Sequence, residues 1–451
     1  MKKNLNMLSG SIVKGLFALA LPIMVMNVLQ SLFNIIDLTI LKTYDTSVGR
    51  YAVGAVGVCG SLITLATNLI VGVATGTNVI VARYLGKNDP EKVERAIGVS
   101  ILFAFFGGLL LLVVGLTCAT TFLRWMNCSE VLLPQASLYF KLYFLAGPFI
   151  LMYNFCASIL RSSGDSRSPM IFLTIGGIVK VVLTYVFVGV FGMQIVGVAL
   201  ATIISWTTSF SLVTIKMLKN KGIVRIKFER IKLYTAELKE ILHIGIPTAL
   251  THSFYAIANV IIASAVNTFG PDASTGISIA NTFDGILYQI CTAPSIALMP
   301  YLSQNIGANN LKRGLEAVWK SMLITVFLGA TFGAASALLS TQLSSIMSDS
   351  PVVIAYSRQK MIIISSTYFI CGINDILYAS IRSMKRPMIA TMCGLIYLCL
   401  IRFIWVYFIF PLVPSLTFLY LVWPIGWFLS IITMLFFFFK RVKQLKVDID
   451  S

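Results

Sequence analysis

Charged side chains are scarce in this sequence of 451 residues: only 12% are Asp, Glu, Lys or Arg, whereas 57% are hydrophobic. A soluble protein of this length cannot cover its surface with so few charges. Acidic residues are the scarcest, with 17 against 35 lysines and arginines, and the formal net charge is +18. The composition excludes a soluble globular protein and indicates a membrane protein.

Several catalytic and cofactor motifs are also missing. The eight cysteines are dispersed and form no CxxC pair and no metal-ligand spacing. No Walker A loop is present to bind the phosphates of ATP, and no nucleophile elbow or zinc motif occurs. These absences predict that the protein is not an enzyme and that it needs neither a metal nor an organic cofactor. An ion gradient of H⁺ or Na⁺ is then the expected source of energy.

Long apolar runs take the place of the missing charges. About twenty apolar residues cross a bilayer as one helix, and about twelve such runs predict an all-α integral membrane protein. The predicted spans are 15–41, 52–82, 96–122, 135–160, 168–190, 193–219, 240–268, 275–302, 314–345, 352–381, 387–411 and 416–440.

The two halves of the sequence resemble each other. Residues 82–96 and 303–317 each combine an apolar residue, a glycine, a short polar run and an alanine at matching positions, and Pro22 recurs as Pro247. Parallel internal repeats are typical of secondary transporters. We therefore expect two pseudo-symmetric six-helix bundles. Their predicted extents are 1–220 for the N-lobe, 221–239 for a basic cytoplasmic connector and 240–451 for the C-lobe.

Basic residues are distributed unevenly between the predicted loops. If both termini lie on one side, most of the 35 lysines and arginines share that side, and only a few, including Arg358 and Lys360, fall on the other. Positively charged loops stay in the cytoplasm, so we expect a multi-pass protein of the inner cell membrane with both termini cytoplasmic. Because the basic residues are scattered over short loops that face anionic lipid, membrane lipid is an expected partner and nucleic acid is not.

Five ionisable residues lie well inside the predicted spans: Asp37, Lys180, Asp284, Asp375 and Arg402. A charge at the centre of a bilayer costs about 2.5–3.5 kcal/mol on insertion scales, so each of them is a candidate functional residue. A structural ion pair and a hydrated helix end are the alternative explanations.

Asp37 belongs to a polar stripe on the first span. Asn27, Gln30, Asn34 and Asp37 recur at spacings of three and four residues and therefore share one helix face. Such a stripe has to face protein or water in a membrane. It predicts a surface for ion coupling or substrate binding, with interhelical hydrogen bonding as the alternative.

Six segments carry a resemblance to a known family. They read RSSGDSRSPM at 161–170, GIPTAL at 245–250, VNTFG at 266–270, QNIGA at 304–308, RFIW at 402–405 and WPIGW at 423–427. With these segments the chain resembles the multidrug and toxic compound extrusion (MATE) family over nearly its whole length. The resemblance implies a V-shaped, two-lobed exporter driven by an inward Na⁺ or H⁺ gradient. It also implies that the acid of the first helix belongs to a coupling site in the N-lobe.

The fifth span departs from the pattern of that family. Where the family tends to carry Asn and Asp, this chain has Lys180 and Thr184. A fixed ammonium group repels Na⁺ at close range, whereas a proton needs only one titratable carboxylate. We therefore expect H⁺ coupling in preference to Na⁺, with Asp37 paired to Lys180 beside Asn34 and Thr184. The alternative is that Lys180 snorkels to the membrane interface.

The C-lobe contains a second set of polar residues within its spans. Some family members carry Glu at the place of Tyr255, so the resemblance predicts no cation site there. We expect Arg402 to pair with Asp375 or Asp284, and His252 to be either a packing residue or a proton carrier. The predicted residues of a substrate cavity or C-lobe polar site are Gln30, Asn27, His252, Tyr255, Asn259, Asp284, Tyr368, Asp375 and Arg402.

The expected function is secondary active export of amphipathic organic compounds, such as drugs or toxins, by alternating access and by a monomer. Lys180 and Arg402 make the interior less acidic than an exporter of organic cations needs. A flippase for a lipid-linked saccharide, or for another anionic or zwitterionic amphiphile, is therefore the alternative. An intramembrane enzyme lacks catalytic motifs, and a passive membrane scaffold would have no use for buried charges.

Overall fold

The computed structural model describes residues 6–44, 50–126 and 128–450, and these ranges contain helices and turns but no strand. Ten helices within them are long and apolar enough to cross a membrane. Two further pairs of helices, bent by 45° and 48°, bring the number of spans to twelve when each pair counts as one. The predicted all-α architecture and its number of spans are confirmed.

The helices of the first half are α1 (Ile12–Thr43), α2 (Arg50–Gly86), α3 (Pro90–Trp125), α4 (Leu133–Leu145), α5 (Gly147–Ser162), α6 (Arg167–Thr184) and α7 (Gln194–Lys219). Those of the second half are α8 (Thr235–Asn267), α9 (Pro271–Gly307), α10 (Leu311–Leu338), α11 (Ser340–Ser345), α12 (Pro351–Ser365), α13 (Tyr368–Ser383), α14 (Pro387–Cys393), α15 (Ile401–Ile404), α16 (Leu416–Tyr420) and α17 (Val422–Asp450). Segments of π-helix extend α6 over Tyr185–Val190 and flank α15 over Gly394–Leu400 and Trp405–Ile409.

The internal repeat is visible in the backbone itself. Asn88 and Asn309 hold the same left-handed conformation, with φ angles of 54° and 56°, at the turns that precede α3 and α10. The next residues, Asp89 and Asn310, cap these helices by accepting a hydrogen bond from the backbone N–H three residues further on, at 3.0 and 3.3 Å. A short polar side chain at this place satisfies a backbone donor that the first helical turn leaves unpaired. The repeat therefore specifies matching helix starts.

The repeat also extends to irregular features. The bent pair α4–α5 occupies the fourth span of the first half, and α12–α13 occupies the corresponding span of the second half. The span that follows contains π-helix in both halves. Pro22 and Pro247 each lie inside the first helix of their half. Such defects in a helix are frequently found at functional sites.

The chain divides into two compact units. The C-terminal unit comprises Met1–Met24, Gly86–Asn88 and His243–Ser451, and the N-terminal unit comprises Val25–Leu85 and Asp89–Leu242. These bounds depart from the predicted extents of 1–220 and 240–451 mainly in the first 24 residues. The V-shaped arrangement of two lobes stays a prediction.

Hydrogen bonds explain why the first residues join the C-terminal unit. Asn305 of α9 donates its side-chain amide to the Met7 carbonyl at 3.1 Å. Arg313 of α10 donates to the carbonyls of Met7, Ser9 and Gly10 at 2.8 to 3.1 Å. Four donated hydrogen bonds thus hold a segment that precedes α1 against the second half of the chain.

The predicted connector is attached to the N-terminal unit. Lys227 and Arg230 form ion pairs with Glu94 of α3, and the Arg230 carbonyl lies so close to Gly98 that a Cβ there would be 1.8 Å away. The helix after the connector begins at Thr235, five residues before the predicted boundary. The connector is therefore shorter than expected and packs against the start of α3.

Candidate functional site

Small residues bring α6 close to its neighbours. Gly176 accepts a hydrogen bond from Ser205 of α7 at 2.7 Å, and a Cβ at Gly176 would lie 2.0 Å from the Ser209 hydroxyl. The next residue, Gly177, faces the ring of Phe33 on α1, which a Cβ would meet at 2.0 Å. Close approach at small residues is how helices associate where water does not drive them together. This packing positions α6 for contact with α1.

An ion pair joins the two helices about one turn beyond this contact. The Lys180 ammonium lies 2.5 Å from Asp37 Oδ2 and donates to Asn34 Oδ1 at 3.2 Å. Thr184 donates its hydroxyl to Asp37 Oδ1 at 3.0 Å. The predicted contact of Asp37 with Lys180, Asn34 and Thr184 is confirmed, and the alternative that Lys180 snorkels to an interface is wrong.

The pair is shielded from solvent on the carboxylate side. The Asp37 side chain is 5% exposed and that of Lys180 is 16% exposed, while Thr184 is fully buried. Both carboxylate oxygens are engaged, one by a charge and one by a hydroxyl. In a low-dielectric surrounding the attraction between such charges is several times stronger than in water. Adding or removing one proton therefore changes the force between α1 and α6 substantially.

Two members of the α1 stripe, Asn27 and Gln30, do not join this cluster. Asn27 and Gln30 are half-buried, and Asn27 contributes its backbone carbonyl to a hydrogen bond from Ser31 at 3.2 Å. Asn34 is exposed apart from its contact with Lys180. The structure thus places two of the four stripe residues at the ion pair. A substrate role for Asn27 and Gln30 stays a prediction.

The C-terminal unit contains a second buried ion pair. Lys360 of α12 lies 2.9 Å from Asp284 Oδ2 on α9, donates to Asn281 and lies 5.9 Å from the centre of the Trp423 ring. The side chains of Lys360 and Asp284 are 4% and 10% exposed. Assigning Lys360 to the outer loops was wrong. Its place inside the predicted span 352–381 was the signal that it is buried.

Arg402 does not pair with an acid, contrary to prediction. It donates to Asn259 at 2.8 Å, and its guanidinium carbon lies 5.0 Å from the ring centre of Tyr255 and 5.1 Å from that of Trp423. Among the described residues no ion pair links it to Asp284 or Asp375. Asp284 is already engaged by Lys360, and the two aromatic faces stabilise the guanidinium through cation–π contacts.

A cavity of roughly 260 Å³ lies between α8, α9, α12, α13, α16 and α17 in the C-terminal unit. Four of the predicted residues line it: Tyr255, Asn259, Asp284 and Tyr368. The Tyr368 hydroxyl also donates to the Asp284 backbone carbonyl at 3.2 Å. His252, Asp375 and Arg402 are not among the lining residues, although Arg402 contacts the wall from behind. Lys360, Tyr420 and Trp423 are lining residues that sequence reasoning did not identify.

The comparison with protein families gives one consistent result. The model of the MatE family matches residues 22–186 and 247–408, one segment in each half. The two segments begin at Pro22 and Pro247, the same pair that marks the internal repeat. The family match thus contains all four residues of the two ion pairs and most residues of the cavity wall.

Individual relatives and structures agree with the family match. The probable multidrug resistance protein YpnP of Bacillus subtilis is 26% identical over 394 residues, covering 87% of each chain. The FAD transporter of Shewanella oneidensis is 23% identical over 409 residues, covering 89% of each. A solved structure of a MOP superfamily transporter from Pyrococcus furiosus, described by the reverse polarity of its binding pocket, has a TM-score of 0.89 at 19% identity and covers 99% of this chain and 100% of that one.

Proposed function

Because the chain belongs to the MatE family of multidrug efflux transporters, we propose that it exports amphipathic organic compounds in exchange for protons. It is a multi-pass membrane transporter and not an enzyme. The observation that carries the proposal is the Asp37–Lys180 ion pair, which joins α1 to α6 at 2.5 Å.

Proton coupling follows from the composition of this cluster. Protonation of Asp37 removes its attraction to Lys180 and frees α1 to shift against α6. Loss of the proton restores the pair and the original contact. If a substrate binds one of these two arrangements more tightly than the other, its binding and that of the proton are coupled. The strength of the coupling is set by the difference between the substrate's affinities for the two arrangements.

Sodium fits the same cluster poorly. A Na⁺ ion needs several oxygen ligands, and the Lys180 ammonium already engages Asp37 Oδ2 and Asn34 Oδ1, while the Thr184 hydroxyl donates to Asp37 Oδ1. A second cation at this distance would be repelled by the first. We therefore propose H⁺ as the coupling ion, with no metal or organic cofactor.

The names of the relatives favour a broad substrate range. YpnP is called a probable multidrug resistance protein, whereas the Shewanella protein is called an FAD transporter. Substrates of this chain are accordingly proposed to be amphipathic, without restriction to organic cations. Neither name concerns a lipid-linked saccharide, so the flippase alternative is not carried further.

The proposed setting is the inner cell membrane, with both termini in the cytoplasm and the protein acting as a monomer. The distribution of basic residues over the loops supports this orientation. Cysteine accessibility tests it directly: a cysteine at exposed Lys312 should react only with reagents that enter the cytoplasm.

Transport in proteoliposomes tests the function and its coupling ion. The full-length protein should drive uptake of a fluorescent dye into inverted vesicles under a pH gradient, and a Na⁺ gradient at equal pH should have no effect. Asp37→Asn keeps the shape of the side chain but removes the titratable group. It should lower gradient-driven transport at least about tenfold, equivalent to about 1.4 kcal/mol. Efflux that needs Na⁺ and ignores the pH gradient would contradict proton coupling.

A further inference from the structure

The cavity of the C-terminal unit carries an excess of positive charge. Lys360 and Asp284 both line it and neutralise each other. Arg402 is 1% exposed and packs against three of the lining residues, and no carboxylate in the described part of the chain forms an ion pair with it. Asp375 and Arg382 both act electrostatically on Tyr288 of the wall and add one charge of each sign. The net charge around the cavity is therefore positive.

One hydrogen-bond donor of the wall lacks an acceptor. The Tyr420 hydroxyl is buried and has no hydrogen-bond partner among the described residues, whereas the buried Arg402 guanidinium is engaged by the neutral side chains of Asn259 and Tyr255. Tyr420 lines the cavity, and Arg402 lies directly behind Asn259 and Trp423. A buried donor without an acceptor is costly, and a buried cation without a counter-charge is more so. An acceptor with negative charge would satisfy the Tyr420 hydroxyl and balance the charge of Arg402.

Asp284 of the cavity wall does not make the net charge around the cavity negative. Asp284 Oδ1 has no hydrogen-bond partner either, but its carboxylate is neutralised by Lys360 through Oδ2 at 2.9 Å. The Lys360 ammonium is in turn engaged by Asp284 and Asn281 and lies over the Trp423 ring. An incoming cation would find no free carboxylate, because displacing Lys360 would leave a second buried cation.

The rest of the wall is apolar and partly aromatic. Tyr255 and Tyr288 are stacked with ring centres 6.1 Å apart and planes at 12°. Ile262, Ile277 and Ile364 supply aliphatic surface to the same cavity. A pocket that combines apolar walls with a few polar groups suits a small organic molecule. The aromatic surface favours a flat apolar body.

We infer that this cavity binds an amphipathic organic anion, a monovalent acid with a flat aromatic body. Tyr420 and Lys360 of the wall contact its acid group, and the Arg402 guanidinium behind the wall supplies the positive charge that balances it. A volume of roughly 260 Å³ accommodates a molecule of one or two fused rings. The inference rests on the proposed function in one respect, that the ligand is an amphipathic compound. It does not depend on the coupling ion or on the Asp37 cluster.

Equilibrium binding to the purified full-length protein in detergent tests the inference without any gradient. Two ligands of matched size and opposite charge are compared, 1-naphthoate and 1-naphthylmethylammonium, by isothermal titration calorimetry. The wild-type protein should bind 1-naphthoate at least about tenfold more tightly than the amine. Sodium chloride and sodium phosphate are titrated in parallel as inorganic anions. A failure of proton-driven transport would leave this result unaffected, so the two proposals fail separately.

Two substitutions locate the binding site. Arg402→Gln removes the charge and should weaken 1-naphthoate binding at least about tenfold and abolish the preference over the amine. Tyr420→Phe removes a hydroxyl that has no partner, so this variant should fold as well as the wild type and lose about threefold in affinity for the anion. Arg358→Gln is the matched control, because Arg358 is exposed on the same helix as Lys360. Its affinity should equal that of the wild type.

Three outcomes would overturn the inference. The first is tighter binding of the amine than of 1-naphthoate by the wild-type protein, which needs no variant to fold. The second is unchanged 1-naphthoate affinity in Tyr420→Phe together with Arg402→Gln. The third is binding of chloride or phosphate as tight as that of 1-naphthoate, which would make the cavity a site for inorganic anions.

Discussion

Gly177 of α6 lies against the aromatic ring of Phe33 on α1, with no room for a Cβ between them. This contact brings Lys180, one turn further along α6, to Asp37. Gly177→Ala would place a Cβ 2.0 Å from the Phe33 ring, so either the ring or the helix has to move. We expect pH-driven efflux to fall about tenfold and the free energy of unfolding to decrease by about 1–3 kcal/mol.

Gly60→Ala provides the matched control for this substitution. Gly60 is also a helical glycine of the N-terminal unit, and a Cβ there meets nothing within 4 Å. Its replacement should leave efflux unchanged and raise stability by about 0.5–1 kcal/mol, the usual gain in a helix interior. Full efflux activity in Gly177→Ala would show that close packing of α1 on α6 is not needed for coupling.

Replacing the Lys180 ammonium at the α1–α6 cluster by oxygen ligands should change the coupling ion. Lys180→Asn combined with Thr184→Asp removes the ammonium and adds a second carboxylate beside Asp37, which supplies the oxygen ligands that Na⁺ needs. We expect this double variant to transport under a Na⁺ gradient at equal pH, measured by dye flux in proteoliposomes. Lys180→Asn alone is the control and should lose coupling without gaining Na⁺ dependence. Unchanged H⁺ dependence of the double variant would mean that coupling lies elsewhere.

Removing only one charge of the Lys360–Asp284 pair should destabilise the protein more than removing both. Lys360→Gln leaves a buried carboxylate uncompensated and should lower the free energy of unfolding by about 3–5 kcal/mol. Adding Asp284→Asn removes that charge, so the double variant should recover most of the loss. Thermal unfolding of the four proteins in detergent gives the coupling energy of the cycle. Additive effects would show that the two side chains do not stabilise each other.

Arg313 should act as the anchor of the segment before α1. Arg313→Gln removes donors to the carbonyls of Met7, Ser9 and Gly10 and to the Tyr301 hydroxyl, which lies 2.6 Å away. We expect a loss of about 2 kcal/mol in stability, because a charged donor contributes about 1.5–3 kcal/mol per bond when buried and less when partly exposed.

Limited proteolysis provides the local readout for this prediction. Trypsin should cleave after Lys14 faster in Arg313→Gln than in the wild type, because the preceding segment is released. Lys312→Gln is the control, since Lys312 is exposed and adjacent in sequence. Equal cleavage rates in both variants would show that the Arg313 bonds do not hold the segment.

Sequence reasoning predicted the features that depend on local pattern and on the bilayer as solvent. Apolar runs of bilayer length predict helices wherever they occur, and the repeat predicts matching turns, as the equal conformations of Asn88 and Asn309 show. The cost of a charge in lipid pointed to Asp37 and Lys180 as partners. Asp37 is the only acid inside the predicted spans of the first half, and Lys180 is the base that lies deepest within them, so the pairing had few alternatives.

In the second half, only the tertiary structure decided which charges meet. The sequence left Asp284 and Asp375 as alternative partners of Arg402, and it placed Lys360 among the few basic residues of the outer side. The bend between α12 and α13 and the packing of α9 bring Lys360 to Asp284, while Arg402 stacks on Tyr255 and Trp423. Which buried charges pair with each other depends on the distances between helices that are far apart in the sequence. The sequence therefore determined that buried charges must be compensated, whereas the fold decided which residues compensate them.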